Sequence, residues 1–472
     1  MKVGFFQADD RAPRAGNDRW WMRRSAICAG VWLALACFPA RAGEFLSWST
    51  NQALVTADVH GVAVGQLLAR VAGATGWEVY VEPGTARSVS AKFRNLPPGE
   101  ALHLLLGDLS FALVPGTNAG SRLYVFRTAQ RNATQLIQPG GRRAKVIANE
   151  LIVRLKPGAN IDDLARKLGA KVVGRIDGLN VYRLEFQDAA AADAARAALA
   201  DNSDVAAVES NYQVDAPPDG FPVDPSGVPP IDLKLNPPGN SGRVVVGLVD
   251  TAVQPLGNGL DSFLLKPISV AGAANPDPNT PTHGTSMYEA MLQSLSSATG
   301  GSTSVQVLSV DVYGPSSSTS TFNVAAGIVQ AVNNGANPIN LSLGSPADSP
   351  ILRQVIDQAA QKGIVIFAAA GNDASADPFY PAAYQPQVLS VTASDGNGLA
   401  SYANYGSYVD LIAPGTEIVP FRTSAYMVSG TSTASAYVAG MTAGIANAQS
   451  ISVGQASKLI TSTPAYQFKN GK

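Results

Sequence analysis

The second half of the chain, from residue 242 onward, alternates short apolar runs with amphipathic stretches. The continuous apolar runs are typical of strands buried on both faces of a sheet, and they cover Val244–Val249, Val305–Val310, Ile339–Leu343 and Ile364–Ala369. The stretches between them have helical spacing, at His283–Ser296, Thr321–Asn334 and Ser349–Lys362. Strands that alternate with helices predict an α/β domain with a doubly wound parallel sheet over residues 242–472.

Local signals in this half indicate where one helix begins and ends and where a site would lie. Ser349 is an N-cap residue, Pro350 follows at the first helical position and Gly363 comes just past the predicted end. In doubly wound sheets, binding sites collect beyond the carboxyl ends of the strands. Asp250 directly follows the first predicted strand, so we expect it at such a site.

The pattern from residue 43 to residue 128 predicts a small α+β module. Strands are expected at Leu54–Val59, Trp77–Val81, Ser88–Phe93 and Leu123–Phe126, and helices at Val64–Ala74 and Gly99–Leu106. Residues 129–146 are polar and rich in glycine and arginine, which favours a linker.

Residues 147–214 form a second small α+β unit. Strands are predicted at Leu151–Leu155, Asn180–Phe186 and Val205–Val208, and helices at Ile161–Leu168 and Asp188–Leu199. We read the order as β-α-β-β-α-β, which is that of a split βαβ sandwich. Residues 215–241 contain eight prolines, and we expect a stiff, extended connector that proteases cut readily.

The amino terminus has the pattern of a secretory signal. Met22-Arg23-Arg24 precedes an apolar run from Ser25 to Phe38, and Ala40-Arg41-Ala42 follows. We therefore expect a signal peptide over residues 1–42, with Met22 as an alternative start and cleavage after Ala42. An uncleaved membrane anchor and a lipid-modified Cys37 are the alternatives. The signal predicts a periplasmic or secreted protein of a bacterial envelope.

Composition narrows the classes of function. Both cysteines, Cys28 and Cys37, lie inside the predicted signal, so the mature chain would have neither disulfides nor thiolate metal sites. The 472 residues suggest about three domains. The net charge of −1 argues against nucleic acid as the main partner. No run approaches the roughly 20 apolar residues of a membrane span, which excludes a multi-span membrane protein.

Three segments contain the residues of a nucleophilic hydrolase. They are VVVGLVDTAV with Asp250, HGTSM with His283, and SGTSTASAYVAG with Ser432. A serine hydroxyl needs a neutral imidazole to take its proton and a buried carboxylate to orient that imidazole. The chain has three histidines, and only His283 lies in the third domain, where it is the one available base. Each of these residues also has a purely structural alternative. Ser432 would then be a helix N-cap, His283 a core or surface residue whose hydrogen bonds are satisfied, and Asp250 a turn residue at the end of a strand.

Further segments predict how a peptide would be held. Asn372 in FAAAGND follows a predicted strand and is the candidate donor to a developing oxyanion, together with a backbone N–H at the serine. The alternative interpretation is that Asn372 is only a turn residue. Ser342, Leu343 and Gly344 in INLSLGSP offer a strand edge to an extended substrate. Ala370 and Gly371, which precede Asn372, are also taken as substrate-binding residues.

These motifs, in the order Asp, His, Asn and Ser, resemble the subtilase family over about residues 242–465. The resemblance implies that Phe379, in DPFYPAAY, contributes to the floor of the primary pocket, and we expect a shallow pocket for small or medium apolar side chains. Family members often bind calcium, but no acidic cluster here predicts a metal or cofactor site. The chain departs from the family pattern at Ala252, Ser286, Met287, Ala436 and Tyr437.

Two further resemblances concern the amino-terminal half. ELIVRLKPGANIDDLARKLGA and VAAVESNYQV resemble the propeptide domains of subtilisin-like proteases, which implies an intramolecular chaperone and inhibitor at 147–214. Residues 43–128 resemble the short N-terminal domain of secretins and TonB-dependent receptors, which implies a cell-envelope protein as partner.

The combined prediction is an exported serine endopeptidase, made as a zymogen, that acts on proteins or peptides. The alternatives are an inactive scaffold of the same fold that binds peptides or envelope partners, and a secretin-associated assembly protein.

Overall fold

The computed structural model of the chain describes residues 45–49, 54–83, 85, 87–115, 121–137, 144–226, 228–237 and 243–468. The predicted signal peptide at 1–42 lies outside the described residues. Among the helices that are described, none is both long and apolar enough to cross a bilayer.

The first module packs two small sheets and two helices around an aliphatic core. Its strands are β1 (Phe45–Ser49), β2 (Leu54–Ala63), β3 (Glu78–Val81), β4 (Ser88–Leu96), β5 (Ser110–Val114), β6 (Arg122–Phe126) and β7 (Gln135–Ile137), and its helices are α1 (Val64–Thr75) and α2 (Pro98–Leu106). One sheet has the order β1-β2-β4 and the other β5-β6-β3-β7. Strand β7 lies in the segment predicted as a linker and pairs antiparallel with β3.

The second unit has the expected β-α-β-β-α-β order. It consists of β8 (Val146–Leu155), α3 (Ile161–Leu168), β9 (Lys171–Ile176), β10 (Val181–Glu185), α4 (Ala189–Ala200) and β11 (Val205–Asp215). Local signals set the helix ends, since Asn160 and Asp188 accept N-cap hydrogen bonds and Gly169 closes α3 in the left-handed conformation. The two helices cover a core that includes Leu151, Leu164 and Leu199.

The connector contributes β12 (Phe221–Val223) and β13 (Lys234–Leu235), two short strands that pair with the domain that follows. That domain contains strands β14 (Val245–Asp250), β15 (Ile268–Ser269), β16 (Ser302–Thr303), β17 (Gln306–Asp311), β18 (Ser318–Ser320), β19 (Ile339–Leu341), β20 (Ile366–Ala369), β21 (Val388–Ser394), β22 (Leu411–Pro414), β23 (Thr416–Phe421) and β24 (Ser424–Ser429). Its helices are α5 (His283–Thr299), α6 (Thr321–Asn333), α7 (Pro350–Gln361), α8 (Thr431–Gln449) and α9 (Val453–Ser462).

A seven-stranded parallel sheet forms the centre of this domain, in the order β15-β17-β14-β19-β20-β21-β22. Helices α6 and α7 contribute to the core on one face, and α5 and α8 contribute to the core on the other. The predicted doubly wound α/β fold is therefore confirmed. Strand β14 lies near the middle of the sheet, so the residue at its carboxyl end emerges over the sheet and between helices from both layers.

Candidate active site

Asp250 is the last residue of β14 and is completely buried. Its Oδ1 atom accepts the backbone N–H of Thr251 at 2.7 Å and lies 2.8 Å from Nδ1 of His283. Its other oxygen is buried and has no hydrogen-bond partner among the described residues. The carboxylate is thus fixed by the strand end and directed at a single imidazole.

His283 is the first residue of α5, whose N-cap Thr282 accepts the backbone N–H of Thr285 at 3.1 Å. Because an ionised carboxylate only accepts hydrogen bonds, its contact with Nδ1 places the proton of a neutral ring there and leaves Nε2 as the basic atom. The helix start also lies very close to β14, since a Cβ at Gly284 would overlap the carbonyl oxygen of Thr251. Glycine is required at this position.

Ser432 is the second residue of α8 and is 6% exposed. Its hydroxyl donates to the carbonyl oxygen of Ser342 at 3.1 Å, and the Ser342 hydroxyl donates to the carbonyl oxygen of Ser432 at 2.9 Å. Ser342 immediately follows β19, so this pair of bonds ties the start of α8 to the carboxyl end of a central strand. Both Ser432 and His283 line one cavity of about 510 Å³.

Asn372 lies in the turn after β20 and is half-buried. Its Oδ1 atom accepts the backbone N–H of Thr431 at 2.9 Å and the Thr431 hydroxyl at 3.0 Å. A backbone N–H can only donate, so the atom it meets is the oxygen, and the other end of the side chain is the NH₂ group. Asn372 lines the same cavity as Ser432. The backbone N–H of Ser432 lies in the first turn of α8 and has no partner within the helix.

Most of the predicted substrate-binding residues line this cavity too. They are Ser342, Leu343, Gly344, Gly371 and Phe379. The Phe379 ring lies against Gly344, where a Cβ would come within 2.5 Å of the ring. Ala370 differs, because its side chain is buried in the core. The Ala370 carbonyl oxygen accepts hydrogen bonds from Asn404 Nδ2 and the Tyr408 hydroxyl, so Ala370 supports the turn and does not face the cavity.

Comparison with known proteins identifies the family of this domain. The subtilase family model matches residues 241–470, and the model of the fervidolysin N-terminal prodomain matches residues 133–211. The chain is 33% identical over 230 residues to subtilisin DY of Bacillus licheniformis, an alignment that covers 46% of this chain and 83% of that protein. The chain belongs to the subtilase family. The resemblance stated for residues 242–465 is thereby confirmed.

Two further relatives give the extent of the similarity. The subtilase chain is 35% identical over 216 residues to the thermophilic serine proteinase of Bacillus sp. (strain AK1), covering 44% of this chain and about half of that relative, 53%. The crystal structure of fervidolysin from Fervidobacterium pennivorans, a keratinolytic enzyme related to subtilisin, superposes with a TM-score of 0.50 and 19% identity. It covers 69% of this chain and 58% of that one, and shows a shared fold.

The prodomain contacts the subtilase domain at two helix starts. Glu209 accepts the Ser349 hydroxyl at 2.6 Å and the backbone N–H of Ile351 at 2.9 Å, at the amino end of α7. Asn211 accepts the backbone N–H of Phe322 at 3.2 Å, at the amino end of α6. The last residues of β11 then pair antiparallel with β18 of the subtilase domain. The two domains therefore share one five-stranded sheet.

The connector also reaches the site, a contact that no pattern in the sequence indicates. Residues that line the cavity include Asp215, Ala216, Pro217, Pro218, Asp219 and Phe221. Burial raises the pKa of the Asp219 carboxyl, and the nearby His283 opposes that rise. The abundance of proline indicated an extended segment, but no local signal shows which surface such a segment follows.

Polar residues behind the cavity hold its walls and were also missed. Asn340 donates to the Ser342 hydroxyl at 2.8 Å and accepts the Ser435 hydroxyl at 2.7 Å. Asn404 accepts the backbone N–H of Asp373 at 2.8 Å, which fixes the turn that bears Asn372. Such buried amides are recognisable only once their partners from distant segments are known.

Two buried side chains of α5 have an atom without a hydrogen-bond partner among the described residues. Glu289 is 1% exposed, burial raises its pKa to about 8, and its Oε2 atom has no partner among the described residues. Ser286, at one of the departures from the family pattern, is buried, and its hydroxyl also has no partner there. Within the described ranges, no group of three or more His, Cys, Asp and Glu residues could hold a metal ion.

Proposed function

We propose that this chain is a serine endopeptidase made as a zymogen, with Ser432 as nucleophile. The observation that carries the proposal is the 2.8 Å contact of His283 with buried Asp250 beside a cavity that Ser432 and Asn372 also line. His283 takes the proton from the Ser432 hydroxyl and returns it to the leaving amine. Asp250 keeps the imidazole in the required tautomer, and the Asn372 amide with the Ser432 N–H binds the oxyanion.

One rearrangement is required before attack. The Ser432 hydroxyl now donates to the Ser342 carbonyl, and the described residues contain no hydrogen bond between Ser432 and His283. Rotation about one side-chain bond of Ser432 would direct the hydroxyl toward Nε2 of His283. A substrate N–H that takes over the Ser342 carbonyl would favour that rotation, so substrate binding and activation of the nucleophile are coupled.

A fluorophosphonate probe tests the assignment of the nucleophile. We expect the enzyme to be labelled once the connector has been cut, and we expect Ser432→Ala and His283→Ala to abolish labelling. Ser462→Ala, which removes an exposed hydroxyl on α9, is the matched control and should still label. Absence of labelling in every cut form would favour an inactive scaffold of the subtilase fold.

The pocket for the side chain that precedes the scissile bond, the P1 side chain, is proposed to be shallow. Phe379 is 8% exposed, lines the cavity and packs against Gly344 and Gly371, so its ring fills space that a smaller residue would leave open. We expect small or medium apolar P1 side chains to be preferred. Cleavage of a peptide library mainly after Phe, Tyr or Arg would contradict this.

Export to the periplasm or the medium is proposed from the signal-like pattern at 22–42. Amino-terminal sequencing of the Ser432→Ala protein after cell fractionation is the test, and a start at Gly43 in an extracytoplasmic fraction is expected. An intact amino terminus in the cytoplasm would contradict export. A cell-envelope protein that binds residues 43–128 is proposed from the sequence resemblance alone, and crosslinking in envelope fractions with and without this module tests it.

A further inference from the structure

The chain that leaves the prodomain is held in the subtilase domain like one half of a bound substrate. Strand β11 pairs antiparallel with β18 through Gln213 opposite Ser320 and Asp215 opposite Ser318. The next residue, Ala216, donates its backbone N–H to the carbonyl oxygen of Ser317 at 2.9 Å. The ladder stops there, because Pro217 and Pro218 have no N–H to donate.

The same chain is paired again on the far side of the serine. Strand β12 pairs antiparallel with β24, with Phe221 opposite Met427 and Val223 opposite Ala425. Continuing this register back by two residues places Gly220 opposite Val428 and Asp219 opposite Ser429. The packing supports this, since a Cβ at Gly220 would lie 2.7 Å from the side chain of Val428.

The two ladders together determine which bond faces the nucleophile. Strand β24 ends at Ser429, and α8 begins at Thr431, followed by Ser432. Ala216 makes the last bond of the first ladder and Phe221 the first pair of the second, so four residues span the site, with Pro217 and Pro218 next to the first ladder. Both line the cavity with His283 and Ser432. The geometry points to the bond between the two prolines as the one presented to Ser432.

We propose that residues 216–220 are a resident substrate mimic that the subtilase domain binds but cannot hydrolyse, so the intact chain is latent. The inference rests on the proposed function, since it names the ligand that occupies the same site. Activation then requires a cut at another bond, in the connector beyond residue 223, by a second protease molecule.

Three physical features make the Pro217–Pro218 bond resistant. Pro217 cannot donate to the Ser342 carbonyl, and in the structure that carbonyl instead accepts the Ser432 hydroxyl, away from His283. Proline fixes its own φ angle and restricts the residue before it, so two in succession cannot adjust to the geometry of attack. The leaving nitrogen of Pro218 is substituted by the ring carbon, which hinders the proton transfer from His283 that must accompany C–N cleavage.

The first module encloses the mimic from outside. Pro83 and the residues Thr134, Gln135 and Leu136 line the same cavity as the connector. The contact of the two parts is close, because a Cβ at Gly65 of α1 would overlap the carbonyl oxygen of Ser401. External proteins therefore have restricted access to Ser432 while the module is in place, which favours latency of the full chain.

The chain offers a matched control for the test. Pro229 and Pro230 form a second Pro–Pro pair in the connector, and both are exposed and away from the cavity. Full-length wild type, Pro217→Ala/Pro218→Ala, Pro218→Ala and Pro229→Ala/Pro230→Ala would be purified with and without Ser432→Ala. Intact mass and amino-terminal sequencing after timed incubation report cleavage between positions 217 and 218.

The double variant at 217 and 218 is expected to be hydrolysed at that bond, with a new amino terminus at position 218 and only when Ser432 is present. The rate of cleavage at this bond should exceed that of wild type by about 10²-fold, because misplacing a reacting group lowers a rate by about that factor. Wild type and the control pair should stay intact there. The single Pro218→Ala variant should show the same cleavage more slowly. It tests the same bond if the double variant does not fold.

Two outcomes would overturn the proposal. One is a new amino terminus at position 218 in wild type that depends on Ser432. The other is a folded double variant that stays intact while its connector-cut form is labelled by fluorophosphonate. Failure of the proposed function has a different signature, because no variant would then be labelled even after thermolysin has cut the exposed part of the connector.

Discussion

The two ends of the Asn372 side chain have separable functions. Its Oδ1 atom accepts two hydrogen bonds from Thr431, whereas its NH₂ group is the proposed oxyanion donor. Asn372→Asp keeps an acceptor for Thr431 and replaces the donor by a carboxylate oxygen. In enzyme with a cut connector, we expect kcat to fall about 10²- to 10³-fold with little change in KM. Steady-state kinetics on a peptide substrate measure this.

Asn372→Ala is the comparison for this prediction. It removes both the donor and the acceptor, so kcat should fall similarly, and the melting temperature should fall as well. The melting temperature of Asn372→Asp should stay near that of wild type. An aspartate variant with the kcat of wild type would contradict the role of the amide.

Glu289 makes stability depend on pH. Burial raises its pKa to about 8, so between its ordinary value and pH 8 the folded chain keeps a proton that the unfolded chain releases. The contribution of Glu289 to the free energy of unfolding is therefore fully present at low pH. It decreases as the pH rises through this window, by at most about 1.4 kcal/mol per pH unit. Glu289→Gln cannot lose a proton and should be increasingly more stable than wild type from pH 5 to pH 8.

Urea unfolding in a Ser432→Ala background measures the dependence without self-digestion. Asp377→Asn changes an exposed carboxylate of the same domain and should follow the curve of wild type. If the curves of Glu289→Gln and wild type stay parallel across the window, Glu289 does not hold its proton.

At the scale of elements, the contact of α5 with α8 connects stability to catalysis. These helices begin with His283 and with Thr431-Ser432, and they approach closely at Gly440, where a Cβ would lie 2.6 Å from the carbonyl oxygen of Met291. Gly440→Ala should therefore separate the helices at a cost of about 1–3 kcal/mol. Because the separation moves Ser432 relative to His283, kcat/KM should fall too.

Gly454→Ala on α9 is the matched control, since no atom lies within 4 Å of its Cβ position. Denaturant unfolding and kcat/KM measured on the same preparations compare the two variants. Equal stability of Gly440→Ala and Gly454→Ala would show that the helices tolerate a wider spacing.

The elements that the sequence predicts are those whose surroundings are uniform along their length. Strands β14 and β17 are buried at every position, so continuous apolar runs predict them to within about a residue. Strand β18 has three residues, none of them apolar, and pairs with β11 from another domain, which no local pattern can indicate. Helix α8 is buried on nearly all sides by small residues, so it lacks an amphipathic period, and only the motif around Ser432 locates its start.

The residues of the site also divide into those that local sequence predicts and those that it does not. Motifs place Asp250, His283 and Ser432 at element ends, and the fold brings those ends to one region. The course of the connector and the inward position of Ala370 depend on packing between distant segments. Those contacts could not be predicted from composition or spacing.

At the scale of the whole molecule, the prodomain adds hydrogen-bond acceptors to two subtilase helices that already have their own N-caps, Ser320 of α6 and Ser349 of α7. The first turn of a helix has N–H groups without partners within it. Glu209 accepts such a group at Ile351 of α7, and Asn211 accepts one at Phe322 of α6. Both residues belong to β11, the strand that leads into the cavity, so they fix the register in which the connector crosses the site.

This arrangement predicts how the enzyme leaves its latent state after the connector is cut. The prodomain then stays bound only by noncovalent contacts, and Glu209→Ala or Asn211→Ala removes a cap worth about 0.5–2 kcal/mol. That loss corresponds to a roughly 2- to 30-fold increase in prodomain dissociation. Activity should appear correspondingly faster after dilution of the cut protein, followed with a peptide substrate. Asp193→Ala, on the exposed face of α4, should release the prodomain like wild type. If all three variants gained activity at the rate of wild type, the caps would not hold the prodomain in place, and the register of the connector would depend on the β11–β18 ladder alone.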